Sequence, residues 1–99
     1  MAENPLNVIK KLDERLLDIV NENRTFSFEE GVLSKKTKYL IALALDASHG
    51  ATDGVKALAL EAKKNGAHKD EIMETLRVVN FISGVGCIYT ASRALKDIL

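Results

Sequence analysis

The stretch "HGATDGVKAL", His49 to Leu58, sets a histidine, an aspartate, a lysine and two glycines within ten residues. Asp46 lies one helical turn before His49 and Asp53 just after it, and an aspartate that orients an imidazole makes a general acid or base. Asp53 and Lys56 are three apart, on one face of a helix, and could hold a small carboxylated ligand with Asp53 as partner base. The same residues also suit structural duties. A histidine near a helix C-terminus complements the dipole, an aspartate–lysine pair is commonly a solvated ion pair of small worth, and Thr52 or Asp53 can cap a helix.

Cys87 offers a different chemistry. As a one-cysteine peroxide reductant it would need a basic neighbour to stabilise the thiolate, and Tyr89 and Arg93 follow on its own segment. A cysteine between glycine and isoleucine is equally a small packing residue. Being the single cysteine, it can form no in-chain disulfide, which fits a reducing compartment. His49 and His68 are far apart in sequence, and no His-x-x-His or Cys-x-x-Cys pair exists, so neither a metal nor a cofactor is expected. "SGVGC" lacks the Gly-Lys-Ser/Thr ending of a phosphate loop, and the lysines of "GVLSKKTK" read as a solvated helix start.

The elements that must position these groups are helical throughout. Asn4-Pro5 reads as cap and first residue of an amphipathic helix carrying Leu6, Ile9, Leu12, Leu16 and Ile19. Asn21 to Leu33 breaks that pattern and reads as a packed loop anchored by Phe26 and Phe28. Ser34 caps "KTKYLIALALDASHG", apolar on nearly every side and therefore expected to be central, until Gly50 stops it. A third helix from Ala51 or Thr52 puts Val55, Leu58, Ala59 and Ala62 on one face and ends at Asn65-Gly66, which makes an antiparallel helical hairpin. A fourth opens at His68, with Asp70 and Glu71 in its first turn and Ile72, Leu76 and Val79 as its stripe. At Ser83 to Cys87 two glycines predict a kink or break, with small side chains that allow close helix approach, before "IYTASRALKDIL" resumes. No period-two pattern occurs anywhere. The expected fold class is all-α, with about four to six helices around a hairpin core.

Bulk composition narrows the function classes. Fourteen basic and 14 acidic side chains leave no strong field for nucleic acid or anionic membrane. The longest apolar run, Tyr39 to Leu45, is far too short to span a bilayer, and no basic-then-apolar leader is evident, so a cytoplasmic location is expected. With 99 residues, one domain over 1–99 is expected, near the size at which self-association often completes burial.

"LSKKTKYLIALAL", then "ALEAKKNGAHKDEIMETLRV" and the glycine-bearing segment after it, resemble the carboxymuconolactone decarboxylase and alkylhydroperoxidase D-like superfamily from about Leu33 to Leu95. The resemblance implies a small helical domain, with 1–33 as an N-terminal helix and loop and 34–96 as the family core, assembling into trimers or hexamers. In the alkylhydroperoxidase branch it further implies a Cys-x-x-Cys-x-x-x-His motif at a helix start and a glutamate about three turns earlier. A thiolate there is stabilised by the helix dipole and resolved by its neighbour. In the gap-free register these positions fall on Ala51, Gly54, Leu58 and, for the glutamate, Tyr39; the decarboxylase branch also places its proton-transferring histidine at Leu58. All four are replaced.

The expectation is therefore a family scaffold without the dithiol site, acting as a small-ligand-binding or assembly module. Tyr39 and Lys56 are its candidate ligand-binding residues. The alternatives are acid–base catalysis on a carboxylated or lactone metabolite through His49 with Asp46 or Asp53, and a peroxide-reducing role for Cys87.

Overall fold

A computed structural model describes residues 4–99. Six helices and no strand occur among the described residues: α1 (Asn7–Leu12), α2 (Glu14–Phe28), α3 (Lys35–Ser48), α4 (Thr52–Lys64), α5 (Lys69–Ser83) and α6 (Val85–Leu95). Among the described residues no helix is long and apolar enough to cross a membrane.

The α3–α4 hairpin makes the most extensive helix pairing, and α5 and α6 close over it. Leu43 and Ala47 of α3, Val55 and Ala59 of α4, Ile72, Leu76 and Val79 of α5, and Ala91, Ala94 and Leu95 of α6 form one buried cluster. Each helix contributes at three- and four-residue steps, and in α5 these are the residues of the stripe read from the sequence. Alanines at 47, 59, 91 and 94 keep the axes close where leucines would hold them apart.

Helix ends follow their local chemistry. Ser34 Oγ accepts the Thr37 N–H at 3.1 Å to start α3, which ends just before Gly50, as α4 ends just before Asn65 and Gly66. Glu71 reaches back to accept the His68 N–H at 2.9 Å, and Lys36 Nζ lies 2.9 Å from Glu71 Oε2, tying the starts of α3 and α5 together. The Lys36 hydrogen bond first, and the His68 N–H second, hold the Glu71 carboxyl below its ordinary pKa. A carboxyl lowered in the folded state stabilises fully above its unfolded value, and that contribution fades as pH falls through the folded value. Glu71→Gln is therefore expected to be less stable than the parent near neutrality, the gap in urea midpoint closing as pH falls through the folded-state value. A gap constant with pH would remove the ion pair from the acid response.

The N-terminal third differs from its sequence reading. The single helix expected through Ile19 is two, divided at Asp13, whose φ of −155° leaves the helical region while its Oδ1 accepts the Leu16 N–H at 3.0 Å. The cap that starts α2 also ends α1. Asn4 Oδ1 does accept the Leu6 N–H at 2.9 Å, but the helix begins only at Asn7. The loop expected from Asn21 to Leu33 is mostly helix, for α2 continues to Phe28. Weak helix formers are outvoted there by a tertiary contact, the Phe28 ring stacked on Tyr39 with centroids 4.6 Å apart. Phe26, 73% exposed, anchors nothing within the chain. Nor is α3 buried on every side: Ile41 and Leu45 are exposed, leaving an apolar face uncovered.

Candidate functional site

Helix α3 delivers Asp46 and His49 to the turn before α4. His49 is exposed at the C-terminal cap of α3, with its N–H bonded to the Leu45 and Asp46 carbonyls at 3.1 and 3.2 Å. Among the described residues no hydrogen bond joins its imidazole to Asp46 or Asp53. Asp53 and Lys56 are both exposed on α4, and no ion pair links them. The half-buried carboxylate of Asp46 turns the other way, across the first turn of α4. A β-carbon at Gly54 would touch its Oδ2 and lie 2.9 Å from its Cγ. The space that a side chain at position 54 would enter, the position aligned with a second cysteine in the register expected from the resemblance, holds the Asp46 carboxylate.

Cys87 stands where α6 leaves the break after α5. Its Sγ is 3.8 Å from the Ser48 carbonyl oxygen and 3.6 Å from that of Ser83, and the Ser48 and Ser83 hydroxyls meet at 2.9 Å. The small side chains noted in the sequence thus let the ends of α3 and α5 meet. Tyr89 and Arg93 are exposed, and no basic side chain hydrogen-bonds the thiol among the described residues. No group of three His, Cys, Asp or Glu converges among the described residues as a metal ion would require.

Two register positions that lie 19 apart in sequence do converge. Tyr39 and Leu58, which the expected register aligned with a glutamate and a histidine, line one cleft of about 630 Å³ between α2, α3 and α4. That volume suits a small molecule. Phe28 and Tyr39 stack nearly parallel, at 16°, to form an aromatic wall, while Leu58 and Leu60 add aliphatic surface. Arg24 and Lys64 supply positive charge, and Glu61 lies 3.5 Å from Lys64. Arg24 has no carboxylate partner among the described residues. An adjoining recess of about 430 Å³ shares Arg24, Phe28 and Tyr39 and adds Lys35 together with the acidic Glu29 and Glu30.

Of the two ligand-binding candidates, Tyr39 lines this cleft and Lys56 does not. As cleft residues Arg24, Phe28 and Lys64 were not expected from the sequence, although Phe28 was expected as an anchor of its segment, as its stack on Tyr39 makes it. The first two are four residues apart, and a helix through that segment would have placed them on one face. Reading Asn21 to Leu33 as loop hid the pair.

The model of the Carboxymuconolactone decarboxylase family matches residues 14–97. The fold is similar to the crystal structure of an apo carboxymuconolactone decarboxylase family protein from Legionella pneumophila. The TM-score is 0.86 at 26% identity, over 92% of this chain and 81% of that one. No curated protein matches the sequence. The family match takes in α2 through α6, hence both the α3–α4 hairpin and the helix that supplies Arg24 and Phe28. On its sequence and its fold, the chain belongs to the carboxymuconolactone decarboxylase family.

Proposed function

We propose that this family member binds a small aromatic carboxylate in the cleft between α2, α3 and α4, and does so without dithiol chemistry. The observation that carries this reading is the composition of the cleft. Where the resemblance leads one to expect a glutamate and a histidine the cleft has Tyr39 and Leu58, and Arg24, without a carboxylate partner among the described residues, lines it together with the Phe28–Tyr39 stack. An aromatic ring gains from an offset-stacked partner, and a guanidinium offers a carboxylate a two-pronged, charge-assisted contact. With one cysteine in the chain, the two-thiol cycle has no second sulfur. The acid–base alternative through His49 draws less support, because that imidazole is exposed and no aspartate orients it. Peroxide reduction at Cys87 likewise lacks a basic partner for the thiol.

Calorimetric titration with benzoate-type carboxylates and their neutral amides tests the reading. The acids are expected to bind and the amides to bind poorly. Arg24→Ala and Lys64→Ala should each weaken the acid by roughly tenfold, about 1.4 kcal/mol, as loss of one charge-assisted contact implies. Equal affinity for acid and amide, or indifference to both substitutions, would remove the cleft from consideration. Steady conversion of a bound acid that is abolished by His49→Ala would instead favour the enzyme.

A further inference from the structure

Helices α5 and α6, joined through the break at Gly84, leave an open groove of about 650 Å³ on a face of the molecule separate from the cleft. Buried Leu76 and Leu95 form its floor and Met73, Val85 and Ile88 its walls, and no aromatic ring lines it. Its charge is of one sign. Arg77 and Lys96 line it, no acidic side chain does, and neither cation has a carboxylate partner among the described residues. Both stand away from the break, seven and twelve residues from Gly84, or about 10 and about 18 Å at the rise of a helix. Val85 and Ile88, beside the break, are apolar. The uncovered apolar face of α2, Leu16, Ile19 and Phe26, differs in having charges of both signs nearby, Arg15, Asp18 and Glu22, which select no ligand.

We infer that the α5–α6 groove binds a single-chain alkyl carboxylate of medium length, with the carboxylate held by Arg77 and Lys96 and the chain laid past Leu76 and Ile88 toward the break. Aliphatic walls give a flexible chain burial and dispersion contact, without the flat surface on which a ring stacks. Arg77 offers the carboxylate a two-pronged, charge-assisted contact and Lys96 a point charge. A groove of this volume suits a small molecule, whereas a stable protein interface engages roughly 20–30 residues a side, well beyond these two helix faces.

Calorimetric titration of the full chain with octanoate, decanoate and dodecanoate, and with 1-decanol and decyltrimethylammonium as controls, tests the inference. Affinity is expected to rise about threefold per added methylene, close to the value of a buried CH₂. Decanoate should bind at least about tenfold more tightly than the alcohol or the cation. Arg77→Ala combined with Lys96→Ala, both at exposed positions, should weaken decanoate by roughly tenfold with the helical circular dichroism unchanged. Val85→Glu, also exposed, should abolish binding by setting a like charge beside the chain, and the lysine and arginine variants carry the test if it loses helicity.

No saturable decanoate binding, affinity flat with chain length, equal binding of decanoate and decyltrimethylammonium, or indifference to the loss of Arg77 and Lys96 would each overturn the inference. So would loss of decanoate binding in Arg24→Ala, which would put the chain in the cleft. Co-sedimentation with phosphatidylglycerol vesicles that needs Arg77 and Lys96, without saturable decanoate binding, would assign the groove to a membrane surface instead. The groove and the cleft are read on different variants and different acids, so either can fail while the other stands.

Discussion

Gly54→Ala is expected to destabilise the parent protein by about 1 kcal/mol and to stabilise an Asp46→Ala background by roughly 0.5–1 kcal/mol. The reversal follows from what a β-carbon meets at position 54. Alanine in a helix normally gains over glycine, because glycine surrenders more backbone freedom on folding. Here the new methyl group would land on Oδ2 of Asp46 and 2.9 Å from its Cγ, so the carboxylate must swing out of its half-buried place. Without that carboxylate only the helical gain remains. Urea unfolding of the four proteins in the cycle should give a coupling of at least about 1 kcal/mol, within the range seen for residues in contact. Strict additivity would mean that Asp46 moves aside at no cost. The same cycle bears on chemistry: a cysteine placed at position 54 would compete with the Asp46 carboxylate for one space.

The second large effect belongs to Gly84, which ends α5 and caps α6 with φ of 94° and ψ of 168°. That region of backbone space is essentially closed to residues with a β-carbon, and holding one there costs of order 1–3 kcal/mol. Gly84→Ala should lower stability by that amount although nothing lies within 4 Å of the new methyl group, so the whole loss is conformational. Gly86, two residues on, is the matched control. It too has open space around it, but it lies inside α6 without a positive φ, so alanine there should stabilise by up to about 1 kcal/mol. Opposite signs at 84 and 86 in urea titrations are the expected result. Equal small effects would mean that the break between α5 and α6 is not set by Gly84.

The helical core was legible because it follows from local rules. Ser34, Gly50 and Gly66 mark their helix boundaries by capping and backbone preference, and the stripe Ile72, Leu76, Val79 needs only the 3.6-residue period to be assigned inward. The family was readable for the same reason, since the resemblance rests on helix starts and stops in order along the chain. The second helix was not legible. Asn21, Asn23 and Thr25 are poor helix formers, and what keeps them helical is the stack of Phe28 on Tyr39, a contact between residues eleven apart. Arg24 was lost to view with it.

By itself the sequence determined an all-α chain with a hairpin core, a family, and one thiol, hence no Cys-x-x-Cys pair. Each of these depends on residue identity and near-neighbour spacing, which a linear reading contains. Only the tertiary structure decided that Tyr39 and Leu58 share a cleft with Arg24 and Phe28, that the Asp46 carboxylate faces Gly54 rather than His49, and that α2 keeps an apolar face uncovered. Those facts depend on how separate helices cross and which faces they present to one another. Crossing is set by packing summed over the whole core, with no signature in any one stretch.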